Sequence, residues 1–565
     1  MSLQFITGNS GNGKTKYLFN RIVKEAKANP RDNYLVIVPE QFTMQTQRQL
    51  VDLSENKAIM NIDVLSFKRL AYRVFDELGI TNLTVLEETG KNLVLRKLAA
   101  QEADKLGIIG RNLNRIGYIS EVKSLLSELV QYNISPEELG RYIASGRLSD
   151  TLSDKLKDVL VLYEAFEKFM QDKYITAEEI LNVLSNVAEE SAILRNSVIA
   201  FDEFTGFTPI QNQLIKKLFV ISKKIYVTLT IDCREDIFKS RGMQELFDMP
   251  KRTVKSLTEM AAFYGIEVEE PIILDKNYRL AENEELSFME QQLFRKRRCS
   301  FKKVPKHIHI DCLRDPKQEL TKIARRINEL VRNENLRYRD IAIVTGDVNI
   351  YAGYVREIFD KYNIPYFIDA TQEILFHPFI EFIRSIPDIA AQNFSADAVF
   401  RFLRCGFSEL LDSEIDVLEN YVLACGVRGK SAWDKKWVRL PKHKAGYDIE
   451  LLNQSREYIM ELLKPVYQVF SDKKSTVKDY VLAIYKLIVL LDIPDKLAKK
   501  EQALLDAGDQ TASKEYGQIY KIVMQLFEKY VAVLGDECMD AEEFTQILDA
   551  GLDAADVAVI PPGYD

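Results

Sequence analysis

The sequence predicts an α/β protein with two lobes built on parallel sheets, each interrupted by a large all-helical insertion. Short apolar, β-branched runs alternate with helix-compatible stretches within 1–85 and 193–294, and again within 295–375. Such alternation is typical of parallel sheets, because parallel strands need a crossover connection that is usually a helix. In the two remaining long regions, 86–192 and 376–552, apolar residues recur at helical spacing.

The first strand–loop–helix unit carries the strongest motif of the chain. A strand-like run, Leu3–Thr7, precedes the loop, and a helix-compatible stretch follows it. The loop residues are Gly8, Asn9, Ser10, Gly11, Asn12, Gly13, Lys14 and Thr15. They match G-x-x-x-x-G-K-[ST], whose backbone N–H groups cradle phosphate beside a helix N-terminus. We expect Lys14 to contact the β- and γ-phosphates of ATP and the Thr15 hydroxyl to bind Mg²⁺. A glycine-rich turn that matches by chance is the alternative.

Composition narrows the class of protein. A chain of 565 residues with 47% hydrophobic and 28% charged residues is typical of a globular protein with several domains. No apolar run approaches the roughly 20 residues of a membrane span, and the N-terminus has no signal-peptide pattern. The six cysteines are scattered without a C-x-x-C pair, which argues against a zinc or iron–sulfur site built from this chain. We therefore expect a cytoplasmic protein that does not enter membranes.

The rest of the first sheet follows from four apolar runs. Tyr34–Val38 and Ile62–Leu65 read as buried parallel strands, and Ser66 is placed to cap the next helix. Ser197–Phe201 and Ile225–Ile231 supply two more strands. Between these pairs, the helical region 86–192 includes Thr176 and Glu179 at capping-box spacing.

Two carboxylates end the strand Ser197–Phe201. Asp202 and Glu203 after four apolar residues resemble a Walker B segment. We expect Asp202 to hold Mg²⁺ through water, and Glu203 to orient and deprotonate an attacking water. The alternative is that the pair is incidental, because many strands end in acidic residues.

The second lobe is predicted from weaker signals. A basic stretch, 295–306, contains seven basic residues and no acid, and reads as an exposed linker that contacts phosphate or only solvent. Strands are predicted at His307–Ile310, Asp340–Val344 and Ile364–Ile368. Helices are predicted over 319–331 and 354–362. The run Val557–Ile560 is interpreted as the start of a return to this lobe, in a chain that looks cut rather than finished.

One stretch of the second helical region combines basic and aromatic residues. Although the net charge is −8, this local surface could still bind nucleic acid. The basic residues Arg428, Lys430, Lys435, Lys436 and Arg439 surround Trp433 and Trp437. In a helix both indoles would share one face and could stack on the bases of single-stranded DNA, while the cations contact phosphates. Alternatively, the tryptophans pack in the core and the lysines form a solvated rim.

The order of these regions resembles superfamily 1 helicases of the UvrD/RecB kind, which have two RecA-like (P-loop NTPase) lobes with helical insertions. Asn277, Tyr278 and Arg279 are similar to motif IV of that superfamily, whose arginine reaches the γ-phosphate. The resemblance assigns lobe 1 to 1–85 and 193–294 with insertion 86–192. It assigns lobe 2 to 295–375 with insertion 376–552, and a return from 553–565.

Finer features resemble the B subunit of AddAB (RexAB) helicase–nucleases. They lie in the P-loop region and in 38–41, 65–71, 204–209, 377–379 and 419–429. The resemblance implies a heterodimer with an AddA-type helicase–nuclease subunit. It also implies action on DNA ends and single-stranded DNA during the recombinational repair of double-strand breaks.

Departures from the helicase pattern favour a scaffold rather than a motor. Only seven residues precede Gly8 in the sequence, so we do not expect an upstream adenine-reading Gln motif. Motifs V and VI are expected beyond Asp565, as is a nuclease domain with an iron–sulfur cluster. The resemblance therefore implies a subunit that holds ATP, contacts DNA and takes part in recognising Chi. The alternatives are an active superfamily 1 translocase and, less in keeping with two helical insertions, a P-loop small-molecule kinase.

Overall fold

A computed structural model describes most of the chain and divides it into two compact units. The described residues are 1–80, 85–108, 110, 118–146, 148–171, 174–295, 299–368, 372–373, 376–440, 447–472, 474–553 and 556–557. The first unit comprises Met1–Leu86, Leu125–Ala144 and Phe169–Asp311. The second comprises Glu87–Ser124, Ser145–Lys168 and Cys312–Asp565. The six-part division by resemblance stays a prediction.

The first half of the chain alternates strands and helices around one long helical stretch. In order, its elements are β1 (Ser2–Gly8), α1 (Lys14–Ala28), β2 (Tyr34–Ile37), α2 (Thr43–Leu53), β3 (Ile62–Leu65), α3 (Phe67–Leu78), β4 (Val85–Leu86), α4 (Glu88–Gln101), α5 (Tyr118–Gln131), α6 (Pro136–Ala144), α7 (Asp150–Met170), β5 (Ile175–Thr176), α8 (Ile180–Val187), β6 (Val198–Phe201), α9 (Pro209–Ile221), β7 (Lys224–Thr230), α10 (Asp248–Phe263), β8 (Glu267–Val268), β9 (Ile272–Leu274) and α11 (Glu284–Gln292).

A seven-stranded sheet forms the centre of the first unit. Its order is β3-β2-β6-β7-β1-β8, and β9 also pairs with β1. All of these pairs are parallel. The α/β fold class is therefore confirmed, and the four predicted strands after β1 all belong to this sheet. Because the strands are parallel, their carboxyl ends meet at one edge, where loops can place functional groups.

Helices cover both faces of this sheet. Alternate residues of β1 point to opposite faces, so Leu3 and Phe5 join a core with α3, α8, α9 and α10, whereas Ile6 packs with α1 and α2. The predicted cap is present, since the Ser66 side chain accepts a hydrogen bond from the backbone N–H of Arg69. The predicted capping box is present too, because Thr176 and Glu179 exchange hydrogen bonds between side chain and backbone at 2.7 and 3.2 Å.

The second half of the chain is almost entirely helical in the part that the structure describes. Its elements are α12 (Pro316–Asn333), α13 (Val348–Lys361), β10 (Gln372–Glu373), α14 (Pro378–Ala391), α15 (Ala396–Arg404), α16 (Asp412–Cys425), α17 (Lys430–Asp434), α18 (Ile449–Ser471), α19 (Val477–Leu490), α20 (Ile493–Asp506), α21 (Gln510–Leu534), α22 (Ala541–Asp553) and β11 (Asp556–Val557). Helices α14 to α22 share one large apolar core, which also takes Leu93 of α4.

The second parallel sheet is not formed by the described residues. The predicted strands at His307–Ile310, Asp340–Val344 and Ile364–Ile368 pair with no other strand among those residues, and Asp340 ends a short 3-10 helix, Tyr338–Asp340. The predicted helices over 319–331 and 354–362 are present as parts of α12 and α13. An apolar run provides strand propensity, but a strand needs a neighbouring backbone to bond with. The prediction of a second sheet lobe is thus not confirmed.

The predicted strand Val557–Ile560 is described only at Val557, in β11, which pairs antiparallel with β10. Residues 558–560 lie outside the described part of the chain. Within that part, no helix combines the length and the apolar character needed to cross a bilayer.

Candidate nucleotide site and neighbouring groove

The loop between β1 and α1 has the backbone of a phosphate cradle. Gly11 and Gly13 both have positive φ, 86° and 77°, which residues with a side chain rarely adopt. Helix α1 begins at Lys14 without a side-chain cap on its first turn. The backbone N–H groups of that turn are therefore oriented towards a ligand at the helix N-terminus, where an anion is stabilised.

Lys14 and Thr15 lie at the start of α1, where Lys14 contacts the beginning of the glycine loop and Thr15 contacts Glu203. Lys14 Nζ donates to the carbonyl oxygens of Gly8 and Asn9 at 3.2 and 3.0 Å. Burial lowers the pKa of Lys14, although the carboxylates of Glu203 and Asp202 oppose that shift. Thr15 Oγ1 donates to Glu203 Oε1 at 3.3 Å.

The two predicted carboxylates follow β6, next to the loop. Asp202 is buried, and its Oδ1 accepts a hydrogen bond from Thr228 Oγ1. Its Oδ2 is also buried and has no hydrogen-bond partner among the described residues. Burial is the main cause that raises the pKa of Asp202. Glu203 has φ 64°, a left-handed conformation that is strained for glutamate, and this turns the chain beside Thr15.

The segment after β9 closes over the glycine loop. Asn277 Nδ2 donates to the Ser10 carbonyl at 2.9 Å, and the backbone N–H groups of Tyr278 and Arg279 donate to the Gly11 carbonyl at 3.0 and 3.4 Å. A Cβ at Gly11 would lie 2.8 Å from Asn277 Oδ1 and 2.9 Å from Arg279 Cβ. Gly11 is therefore required for close approach as well as for its positive φ.

Sequence reasoning predicted Arg279 and missed the parts played by its two neighbours. The exposed ring of Tyr278 lies 3.5 Å from where a Cβ of Gly13 would be. The amide of Asn277 fastens the segment to the loop through Ser10. The signal available in the sequence was the resemblance of all three residues to one motif.

These residues fit a nucleoside triphosphate with a divalent cation. The cradle supplies N–H donors and the Lys14 ammonium for phosphate oxygens, and Asp202, Glu203 and Thr15 supply hard oxygen ligands of the kind Mg²⁺ prefers. The buried Asp202 Oδ2 and Thr7 Oγ1 lack partners among the described residues. Since buried polar groups are normally hydrogen-bonded, these two atoms indicate an edge of the sheet that is adapted to a polar ligand.

A groove lies at the same edge, at the carboxyl ends of β2, β3 and β6. Its volume is about 610 Å³, and it is lined by Val38, Pro39, Glu40, Ser66, Phe67, Lys68, Arg69, Tyr72, Phe204 and Gln211. Three of the segments that carry the AddB resemblance, 38–41, 65–71 and 204–209, thus meet in one place. Sequence reasoning had not assigned these residues to a site, because they are far apart along the chain.

The groove combines aromatic and charged groups. The Phe67 ring packs against Phe201, Phe204 and Phe207, with centroid distances of 5.8, 5.6 and 6.3 Å. Glu40 accepts hydrogen bonds from Ser66 Oγ and from Arg69 Nε, the latter at 2.9 Å. The Ser66 hydrogen bond is the main cause that lowers the pKa of Glu40.

Trp433 and Trp437, in the stretch 428–439 of basic and aromatic residues, are buried, which corrects the expectation that they are exposed for base stacking. Trp433 and Trp437 are 0% and 6% exposed, and their ring centroids lie 5.3 Å apart. Helix α17 ends at Asp434, and Lys435 is extended, so Trp437 is not on the same helix as Trp433. Trp437 Nε1 donates to the Ala432 carbonyl at 3.0 Å, which fixes it in the core.

The cations around the tryptophans divide into two groups. Lys430 forms an ion pair with Asp434 at 2.7 Å and lies 5.4 Å from the ring centre of Tyr467. The other four predicted DNA contacts are exposed: Arg428, Lys435, Lys436 and Arg439. DNA binding by these residues stays a prediction.

The family model and the curated relatives that match this chain describe the same kind of protein. The family described as ADDB, N-terminal matches residues 5–290. The chain is 38% identical to the B subunit of the ATP-dependent helicase/deoxyribonuclease of Lachnoclostridium phytofermentans, with 100% of this chain and 50% of that relative aligned. Proteins of the same name from Caldanaerobacter subterraneus and Clostridium acetobutylicum are 32% and 31% identical, covered over 49% and 50% of their lengths by the whole of this chain. The chain thus spans about half the length of these curated relatives.

Proposed function

Because the chain belongs to the family described as ADDB, N-terminal, we propose that it is the ATP- and DNA-binding portion of an AddB-type subunit. It would act in a heterodimeric helicase–nuclease that processes DNA double-strand breaks for recombinational repair. Within that complex it would serve as a DNA-binding and Chi-recognition scaffold rather than as the motor.

A single observation carries the proposal: the glycine loop, the carboxylate pair, Arg279 and the groove all lie at the carboxyl edge of one parallel sheet. Five separate stretches of chain, which follow β1, β2, β3, β6 and β9, contribute to this edge, and hydrogen bonds join residues as far apart as Asn277 and Ser10. Ligands of open α/β sheets bind at this edge. A nucleotide and a nucleic acid strand could therefore be bound by neighbouring surfaces of one rigid element.

At the nucleotide site each residue has a separate role. Lys14 would exchange its backbone partners for phosphate oxygens, and the uncapped first turn of α1 would donate its N–H groups to them. Thr15 and Asp202 would hold Mg²⁺, which neutralises charge on the phosphates when it is bound. Glu203 would orient and deprotonate a water molecule if hydrolysis occurs, and Arg279 would approach the terminal phosphate.

At the groove, aromatic and basic side chains lie together. Single-stranded nucleic acid is bound by cations that contact its backbone and by aromatic rings that stack on its bases. Lys68 supplies positive charge, Arg69 is paired with Glu40 at 2.9 Å, and Tyr72, with 39% of its surface exposed, supplies an accessible ring. This combination supports a single-strand contact surface.

The partner and the substrates are inferred from the relatives. Their name describes the B subunit of an ATP-dependent helicase/deoxyribonuclease. A protein so named requires at least one other chain, and we propose an AddA-type helicase–nuclease as that partner. DNA ends and single-stranded DNA would be its ligands, and an iron–sulfur cluster would belong to the part of such a protein that this chain does not include.

The direct test is equilibrium binding of a fluorescent ATP analogue in the presence of Mg²⁺. Lys14→Ala should lower affinity at least about tenfold, because it removes a charge-assisted contact of roughly 1.5–3 kcal/mol. Lys16→Ala is the matched control, since Lys16 is an exposed lysine in the same first turn. Equal affinity of wild type and Lys14→Ala would contradict the nucleotide assignment.

A further inference from the structure

A buried polar network fastens the glycine loop to the carboxyl end of β7 and to α11. Asn9, which is almost fully buried, uses both ends of its side-chain amide. Its Nδ2 donates to Glu290 Oε1 at 2.9 Å, and its Oδ1 accepts from the backbone N–H of Cys233, also at 2.9 Å. The loop residue beside Gly8 is therefore held by two distant elements.

Arg295 completes this network. Its Nε donates to Asp232 Oδ2 at 3.0 Å, and its Nη2 lies 3.9 Å from Glu290 Oε1. Its guanidinium also lies 4.8 Å from the ring centre of Phe247. Only 12% of the Arg295 side chain and 1% of the Asp232 side chain are exposed. Arg295 thus balances two carboxylates, one of which holds Asn9.

Helix α11 connects the glycine loop to the end of the basic stretch 295–306. Glu290, near its carboxyl end, contacts Asn9. At its amino end, Glu285 accepts hydrogen bonds from the backbone N–H groups of Lys306 and His307 at 2.7 and 2.8 Å. Glu284 pairs with Lys303 at 2.5 Å. One helix therefore touches both the loop and the segment 299–307.

The network also reaches Lys14. Asn9 donates to Glu290 through its side chain, while its carbonyl oxygen accepts from Lys14 Nζ at 3.0 Å. Glu290 acts electrostatically on Lys14 as well. If Lys14 moves to a phosphate, its ammonium interacts less strongly with the Glu290 carboxylate. The Arg295 guanidinium then becomes the main positive charge next to Glu290. A change at the loop is in this way transmitted to the residue that begins the basic stretch.

We infer that Arg295 is a positioning residue for the nucleotide site, and that the Asn9–Glu290–Arg295–Asp232 network, through α11, couples nucleotide binding to residues 299–306 of the basic stretch. The inference rests on the proposed nucleotide binding. Coupling of this kind is reciprocal. A substitution that removes the contacts of Arg295 must therefore weaken ATP binding, and ATP binding must in turn stabilise the contacts of residues 299–306.

The test uses the full 565-residue protein and two measurements. The first is the affinity for a fluorescent ATP analogue with Mg²⁺. The second is the rate of tryptic cleavage after Lys302, Lys303 and Lys306, followed by mass spectrometry with and without ATP. In wild type, saturating ATP should slow this cleavage about fivefold, at the lower end of typical coupling.

Two variants should remove the effect. Arg295→Ala and Glu290→Gln should each lower ATP affinity about fivefold, and ATP should no longer slow cleavage. Glu290→Gln retains a side-chain oxygen that can accept the hydrogen bond of Asn9, and it removes no tryptic site. This variant therefore distinguishes the loss of charge from the loss of packing. Arg252→Ala is the matched control, because Arg252 pairs with Asp248 at 2.8 Å from a largely exposed position, and neither residue belongs to the network. It should leave both measurements close to wild type.

The outcomes separate the two proposals. If wild type binds ATP but its cleavage rate is unchanged by ATP, the coupling is wrong and the nucleotide site stands. The same holds if both variants bind ATP as tightly as wild type. If wild type binds no ATP, the nucleotide site and the coupling are both wrong.

Discussion

Glu203 is held in the left-handed region with φ 64°, a conformation that costs a residue with a side chain roughly 1–3 kcal/mol. The cost is borne at a position where the carboxylate faces Thr15. Strained residues of this kind cluster at functional sites, and the backbone turn brings Glu203 beside the glycine loop. Together with the buried Asp202 Oδ2, which lacks a partner among the described residues, it indicates a site adapted to a ligand rather than to packing alone.

His377 is a buried residue whose lowered pKa should make the stability of the protein depend on pH. It caps α14, because its Nδ1 accepts from the backbone N–H of Phe379 at 3.1 Å, and only 3% of it is exposed. Burial lowers the pKa of His377 from its ordinary value near 6.5 to about 4. The unfolded chain therefore takes up this proton before the folded chain does.

The unfolding free energy of the second unit, which contains His377, should consequently fall as the pH is lowered from about 6.5 to about 4. The loss of unfolding free energy from His377 is at most roughly 3 kcal/mol, since each unit of pKa shift corresponds to about 1.4 kcal/mol. Urea unfolding across a pH series measures it. In His377→Asn, which retains a capping side chain without this titration, the slope should be smaller. An equal slope in both proteins would contradict the assignment.

At the scale of elements, the groove and the basic stretch 428–439 are two candidate surfaces for single-stranded DNA. In the groove, α3 presents Arg69 and Tyr72 beside Phe67. In the basic stretch, the burial of Trp433 and Trp437 leaves only exposed cations such as Lys435 and Lys436. Ring stacking is thus available in the groove and not at the buried tryptophans.

Single-strand affinity across a salt series should distinguish the two surfaces. Tyr72→Ala should cost roughly 1–3 kcal/mol of binding with little change of salt slope, because it removes a stacking ring. Lys435→Ala with Lys436→Ala should lower the salt slope by roughly 1.4, about 0.7 for each lost phosphate contact. Arg73→Ala, an exposed change on α3 outside the groove lining, is the control. Wild-type binding by Tyr72→Ala would remove the groove from the DNA surface.

At the scale of the whole molecule, one complete sheet carries the candidate nucleotide site. The glycine loop, Asp202 and Arg279 all belong to the first unit. The scaffold role proposed for this chain predicts that nucleotide binding and nucleotide turnover are separable in it.

We expect the purified chain to bind ATP with Mg²⁺ while hydrolysing it at a negligible rate, with or without single-stranded DNA. Groups that stabilise the transferring phosphoryl group must converge on it for rapid turnover. Steady-state phosphate release measures this, with Lys14→Ala as the background control. DNA-stimulated hydrolysis that disappears in Lys14→Ala would contradict the scaffold role.

The first sheet could be predicted from local patterns, because a parallel strand is a short apolar run and the glycine loop is a contiguous motif. The second sheet was predicted from equally apolar runs, such as Asp340–Val344, and was not confirmed. Strand propensity is local, whereas pairing depends on a neighbouring backbone. The spacing of Trp433 and Trp437 would put both on one face if the stretch were a single helix, but α17 ends before Trp437.

Local sequence patterns were enough to establish the α/β class, the glycine loop Gly8–Thr15 and the carboxylate pair that ends β6, because each depends on residues adjacent along the chain. Three other arrangements became visible only in the folded chain. Asn277 and Tyr278 close over the loop, 38–41, 65–71 and 204–209 form one groove, and Arg295 joins Asp232 to Glu290. These arrangements depend on contacts between residues that are mostly tens to hundreds of positions apart. The register of packed strands and helices sets such contacts, and no local pattern encodes it.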